Sequence, residues 1–137
     1  MKGAVRELRM ATEIIAMVAE IGELLEKSVN KIGELGDEDD DGEPELNRVD
    51  RWRYTQILTG LAGEALDIFE LFTNVVKQDA TVMGDKARIS YIHKVYREMK
   101  GIRRAMYAQI RRINREVYGA MRGKREAVLY KKLFSKT

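Results

Sequence analysis

The sequence predicts an all-α protein, an antiparallel up-down-up bundle of three long helices followed by a short basic C-terminal helix. Apolar residues recur at three- and four-residue spacing through three long segments, which is the period of a helix packed on other helices. The chain of 137 residues contains a single proline. The connectors have about ten residues or fewer, and connections this short make neighbouring helices antiparallel.

The first predicted helix covers about residues 4–35. Its apolar or small residues alternate between spacings of three and four, at Leu8, Ala11, Ile15, Val18, Gly22, Leu25, Val29 and Ile32. A second row widens this face, with Ile14, Met17, Ile21 and Leu24. Because glycine disfavours helix, Gly22 within the seam predicts the close approach of another backbone. Gly36 is a plausible C-cap.

The second predicted helix covers about residues 47–77, with Asn47 or Asp50 as its N-cap. Its apolar face repeats the pattern of the first helix, at Tyr54, Leu58, Leu61, Ala65, Ile68, Phe72 and Val75. Four further apolar residues broaden this face: Trp52, Ile57, Phe69 and Leu71. Wide apolar faces of this kind predict more than one packing neighbour, and a second copy of the chain is one candidate.

The third predicted helix covers about residues 85–122 and begins with Asp85 as N-cap. Its core side is Ile92, Val95, Met99, Ile102, Met106, Ile110, Ile113, Val117 and Ala120 or Met121. Gly123 is expected to break the helix. Residues 1–122 are then one helical bundle, and residues 123–137 form a basic C-terminal extension with its own short helix.

Composition excludes most catalytic chemistry. The chain has no cysteine and one histidine, His93, which removes thiolate catalysis and Cys-based zinc sites and makes a hydrolytic triad implausible. It contains no glycine-rich phosphate loop or dinucleotide fingerprint. We therefore expect no enzyme activity, no cofactor, no small-molecule substrate and, because no apolar run is long enough, no membrane span.

An acidic segment, GDEDDDGEPEL at 36–46, begins like a calcium-binding EF-hand loop. Asp37, Asp39 and Asp41 fit its first three ligand positions, and Gly42 fits its turn. Arg48 then stands where a bidentate glutamate is required, and Pro44 precedes it at an unsuitable position. The sequence therefore favours a charged turn over a metal site, and a weak, salt-screened attraction to a basic surface.

Positive charge is concentrated in the C-terminal part of the chain. Residues 86–137 contain 16 Lys or Arg and three Asp or Glu, whereas residues 1–85 contain nine and 19. On the third helix, cations fall within about 60° of one another on the side opposite the apolar arc. They are Arg97, Lys100, Arg104, Arg111, Arg115 and Arg122, with Lys124, Arg125, Lys131 and Lys132 following. Tyr107 and Tyr118 flank this row, which is suited to phosphates or to an acidic partner.

Residues 54–115 resemble small helical accessory proteins of conjugative transposons. The matching features are YTQILTGLAGEALDIFELFTNVV in the second helix and, in the third, Met83, Asp85, Lys86, Arg88, Ile92, Lys94, Val95, Tyr96, Glu98, Met99, Arg103 and Tyr107. The resemblance implies a non-enzymatic part of a conjugal transfer apparatus, with no catalytic residues to carry over.

Two functional hypotheses follow. The first is a structural or interaction protein, an accessory of conjugative DNA transfer, that binds protein partners or associates with itself as a homo-oligomer. The second is a nucleic-acid-binding module that uses the basic side of the third helix. The N-terminal residues show no signal peptide, which predicts the cytoplasm, whereas the resemblance implies export and therefore the cell envelope.

Overall fold

The computed structural model is all-helical, with three long helices and no strand in the part of the chain that it describes, which confirms the predicted fold class. The helices are α1, Lys2–Glu34, α2, Arg48–Lys77, and α3, Asp85–Phe134. The structure describes residues 2–35, 46–77 and 84–134, with side chains for 6–35, 46–77, 84–123 and 125.

Each helix packs against both of the others around one core. On α2 and α3 the buried residues are those that the apolar spacing predicts: Tyr54, Leu58, Ala65, Phe72, Ile92, Val95, Met99, Ile102, Met106, Ile113 and Val117. Leu58, Met99 and Met106 are fully buried. Burying a side chain of this size stabilises the fold by about 1.5–3 kcal/mol, so these rows hold the bundle together.

The predicted seam of α1 is only partly correct. Three of the four buried residues in the described part of α1, Ile14, Met17 and Ile21, belong to the row expected only to widen its face, and the fourth, Ile32, belongs to the predicted seam. Leu8 and Ile15 of the predicted seam are 69% and 54% exposed. The close backbone approach predicted at Gly22 is wrong within the chain, since a Cβ there would meet nothing within 4 Å. Among the residues predicted to broaden α2, Trp52 and Leu71 are also exposed.

Local hydrogen bonds explain where α2 and α3 begin. The side-chain oxygen of Asn47 accepts a hydrogen bond from the Asp50 backbone N–H at 2.8 Å, so Asn47 is the N-cap of α2. Asp85 is not an N-cap, because it is already the first helical residue and the carbonyl of Gly84 accepts the first backbone hydrogen bond, from Arg88. Asp85 instead lies in the first turn, where a carboxylate is favourable to the helix dipole.

Contacts between helices show which segments are neighbours. Arg88 donates to Glu7 at 3.1 Å, and Arg103 donates to Glu20 at 3.3 Å, so corresponding positions along α1 and α3 are in contact. The start of α3 also meets the end of α2, where the rings of Phe72 and Tyr91 are stacked at 6.4 Å.

The third helix continues through Gly123 to Phe134. The predicted short C-terminal helix is therefore not confirmed as a separate element. One glycine costs a helix only about 1 kcal/mol, which is too little to end a helix that has no competing turn.

None of the described helices is apolar enough over a sufficient length to cross a membrane. The acidic segment from 36 to 45, including the Gly36 C-cap, lies outside the described residues. So do the side chains of Lys124, Lys131 and Lys132.

Candidate polyanion-binding face of α3

The structure places the predicted cations on one side of α3. This surface, called here the basic face, consists of Arg97, Lys100, Arg104, Arg111, Arg115, Arg122 and Arg125. All are exposed except Lys100, which is half-buried. Residues three, four or seven apart return to the same side of a helix. The cations therefore share one side of α3, and the buried residues Val95, Met99 and Met106 share the opposite side.

The basic face is almost free of negative charge from its own helix. α3 contains four acidic residues, and the structure describes the side chains of three of them, Asp85, Glu98 and Glu116; the side chain of Glu126 lies outside the described part. Asp85 lies in the first turn beside Arg88, and Glu98 lies 4.0 Å from Lys94. Burial, followed by a hydrogen bond to Glu116, raises the pKa of Tyr54 of α2, so Glu116 projects toward α2. The cations of the basic face therefore reinforce one another's potential.

One carboxylate from α1, Glu20, projects toward the basic face. It lies in an open cleft of about 320 Å³ between α1 and α3, which we call the Glu20 cleft. The other residues that line this cleft are Lys100, Arg103, Arg104, Tyr107 and Arg111. Four cations thus surround a single carboxylate, and the cleft keeps a positive balance.

Glu20 has two direct partners on α3. The guanidinium of Arg103 donates to Glu20 Oε2 at 3.3 Å, and the hydroxyl of Tyr107 donates a short hydrogen bond to Glu20 Oε1. The hydrogen bond to Glu20 raises the pKa of Tyr107, and burial contributes less. Since the phenol stays protonated, it acts in this cleft as a hydrogen-bond donor to carboxylate-like oxygens.

A second contact orients Lys100. Its ammonium lies over the ring of Tyr96, 5.0 Å from the ring centre, which is within the range of a cation–π interaction. Lys100 and Tyr96 also line a neighbouring hollow that contains Glu13 and Glu20. Lys100 is therefore held against the bundle by the ring of Tyr96.

Two aromatic side chains border the basic face, as the sequence predicts. Tyr107 is 37% exposed and Tyr118 is 69% exposed. An exposed ring beside a row of cations offers a surface on which a nucleic-acid base stacks, and such stacking contributes about 1–3 kcal/mol per base.

Sequence reasoning missed the residues that complete the cleft. Glu20 is one of many acidic residues on α1, and its position opposite Arg103 depends on how α1 and α3 pack. Arg103 lies between the core row and the basic face, so the search for a single row of cations omits it. Glu20 follows Met17 by three residues, and both line the hollow between α1 and α3, so this spacing is a signal in the sequence that could have indicated it.

Metal chemistry has no support in the described residues, which contain no group of three or more His, Cys, Asp or Glu side chains arranged to hold a metal ion. His93 is half-buried on α3. The acidic segment with the EF-hand-like spacing is outside the region that this statement covers. A comparison of the chain with protein-family models, curated proteins and solved structures found no match.

Proposed function

We propose that this protein is a non-enzymatic interaction protein that binds an acidic macromolecule through the basic face of α3. The observation that carries the proposal is the row of cations from Arg97 to Arg125, all exposed except the half-buried Lys100, among which the described side chains of α3 place no acidic group. Fields from aligned like charges add, so such a row attracts a polyanion much more strongly than an isolated cation does.

The ligand that fits this face best is the phosphate backbone of a nucleic acid. Arg97, Arg104 and Arg111 repeat every seven residues, a separation of about 10.5 Å along a helix. The row therefore follows a linear ligand with regularly spaced charges, and each neutralised phosphate releases a counterion. Tyr107 and Tyr118 add stacking surface beside the row.

An acidic protein surface is the second candidate ligand, and a specific contact favours it. Glu20 already occupies part of the basic face and bonds to Arg103 and Tyr107. The same groups would donate hydrogen bonds to carboxylates of a partner protein in place of, or beside, Glu20. Such contacts are charge-assisted, but at an exposed surface they contribute about 1 kcal/mol or less each.

We also propose that the helices run up, down and up, in line with the contacts of Glu7 with Arg88 and of Phe72 with Tyr91. The resemblance to conjugative-transposon proteins supports a role as an accessory of DNA transfer. Either ligand class suits such a role. A nucleic-acid ligand favours the cytoplasm as the site of action, and an acidic partner at a transfer channel favours the cell envelope.

The proposal is tested by salt-dependent binding of labelled single-stranded DNA, duplex DNA and RNA, measured by fluorescence anisotropy. Affinity should fall steeply as salt rises. Replacing Arg104 and Arg111 by Gln removes two phosphate contacts and should reduce the slope of log K against log salt by about 2. The matched control replaces Arg53 and Lys77, two exposed cations of α2, and should leave the slope nearly unchanged.

Absence of binding to all three nucleic acids at low salt would exclude the nucleic-acid ligand and leave the acidic protein. If the basic-face variant and the α2 control lost the same affinity and the same salt slope, the effect would follow net charge alone. That result would contradict the basic face as the binding surface.

A further inference from the structure

One exposed face of α2 borders the groove between α2 and α1, and it is called here the outer face of α2. It consists of residues spaced by three, four or seven: Arg48, Trp52, Thr59, Gly63, Leu66 and Glu70. All six are exposed, and Trp52 and Leu66 expose 66% and 50% of their surface. Both apolar side chains are exposed to water, so burying them against a partner would supply favourable free energy.

These residues are arranged symmetrically about Thr59. Trp52 and Leu66 are each seven residues from Thr59, about 10.5 Å along the helix, and Arg48 and Glu70 are each eleven residues away. A second α2 running antiparallel, with a two-fold axis at Thr59, brings Trp52 opposite Leu66 of the second copy. It also brings Arg48 opposite Glu70. Each contact occurs twice, as in an isologous interface.

Charge complementarity selects this antiparallel arrangement. Arg48 and Glu70 are both exposed, and neither is ion-paired with another described residue. In the antiparallel pair they meet as opposite charges at both ends of the interface. A parallel pair would place Arg48 beside Arg48 and Glu70 beside Glu70, which is repulsive.

The centre of the face permits close approach. A Cβ added at Gly63 would meet nothing within 4 Å, so the backbone there is open to solvent. Beside it lies a hollow of about 300 Å³ between α1 and α2, lined mainly by apolar groups, including Val18, Leu25 and Leu66. In the antiparallel pair, Trp52 of the second copy lies at the Leu66 end of this hollow.

We propose that the protein forms a two-fold symmetric dimer through the outer face of α2, with Trp52 packed on Leu66 and Arg48 paired with Glu70 of the second copy. This inference is independent of the proposed ligand, because none of these residues belongs to α3. A dimer of this form carries two basic faces.

The test is sedimentation equilibrium of the full chain and of charge-reversal variants. Wild type should be dimeric at micromolar concentration. Arg48→Glu or Glu70→Arg alone should raise the dimer Kd about tenfold, since each change makes two repulsive pairs of about 0.7 kcal/mol each. The double variant R48E/E70R restores opposite charges and should return the Kd to about twice the wild-type value or less.

A steric variant supplies a second measurement. Gly63→Met has open space in the single chain and favours helix, so it should fold at least as well as wild type while blocking the dimer. The chain has no cysteine, so Thr59→Cys should link two copies by a disulfide across the axis, whereas Glu64→Cys, on another side of α2, should not.

A wild-type chain that is monomeric at millimolar concentration would overturn the proposal. A dimer that is insensitive to Gly63→Met and to both charge reversals would also overturn it, because the copies would then meet on another face.

Discussion

Tyr54 and Tyr91 both place their rings in or against the core, but their hydroxyl groups have different surroundings. Tyr91 stacks on Phe72, and its buried hydroxyl has no hydrogen-bond partner among the described residues. Burial raises the pKa of Tyr91. Tyr54 is 4% exposed, and burial, followed by a hydrogen bond to Glu116, raises its pKa to about 12. For both rings the folded state favours the neutral phenol.

The raised pKa of Tyr54 predicts a loss of stability at high pH. The folded-state pKa lies above the unfolded value of about 10, so the contribution of this phenol is complete below pH 10 and is lost as the pH rises toward 12. The free energy of unfolding of wild type should therefore fall more between pH 10 and 12 than that of Tyr54→Phe, measured by urea denaturation.

The matched control for this measurement is Tyr118→Phe, whose ring is 69% exposed. Folding buries little of that ring, so its replacement should leave the pH dependence of wild type unchanged. Parallel curves for wild type and Tyr54→Phe up to pH 12 would contradict the burial of a neutral Tyr54 hydroxyl.

At the scale of elements, apolar spacing predicts which segments are helical better than it predicts which side of a helix is buried. On α2 and α3 one apolar row dominates, and most of its residues are buried or packed against the core, although Met121 at the end of the α3 row is 40% exposed. On α1 two rows lie side by side, one with Ile14 and Ile21 and one with Leu8 and Ile15. Only the positions of both neighbouring helices decide between them, and that information is not local to the sequence of α1.

The continuation of α3 through Gly123 leads to a prediction about this one helix. Because Gly123 is helical and a Cβ there meets nothing within 4 Å, Gly123→Ala should increase the helicity measured by far-UV circular dichroism and slow amide exchange nearby. It should hardly change the free energy of unfolding, because the last buried side chain in the described part of α3 is Val117.

Gly101→Ala is the reference for this comparison, since Gly101 is exposed and has open space but lies within the stretch of α3 that carries the buried row. It should raise the free energy of unfolding by about 0.5–1 kcal/mol. A decrease in helicity on replacing Gly123 would show that the chain turns there, as its glycine first suggests.

At the scale of the whole molecule, the sequence predicts the basic face but not the Glu20 cleft. The basic face lies on one helix, so helical periodicity alone brings Arg97, Arg104 and Arg111 together. The cleft joins Glu20 of α1 to Arg103 and Tyr107 of α3, and this requires the relative position of two helices. For the same reason, the ionic contact of Glu7 with Arg88 could not be predicted from charge spacing.

The length of α3 leads to the last prediction. At about 1.5 Å per residue its 50 residues span about 75 Å, against about 50 Å for the 33 residues of α1 and about 45 Å for the 30 of α2. The part of α3 after Val117 follows the last side chain that the structure shows to be buried in this helix. It carries Lys124 and Arg125 of the predicted polyanion contacts.

A chain that ends at Arg122 should consequently bind nucleic acid more weakly without losing stability. Its free energy of unfolding should lie within about 0.5 kcal/mol of the wild-type value, because no described core side chain is removed. Its affinity for nucleic acid should fall and depend less on salt, because five cations of residues 123–137 are lost. Urea denaturation and anisotropy titration measure the two effects on the same sample.

A chain that ends at Glu116 is the destabilised comparison, since it also loses Val117, which is 8% exposed. Removing a buried side chain of this kind costs more than 1 kcal/mol. If the chain ending at Arg122 were destabilised to the same extent, residues 123–137 would have to pack on the bundle or on a second copy. The basic end of α3 would then be a structural contact, and the polyanion would have to bind nearer the Glu20 cleft.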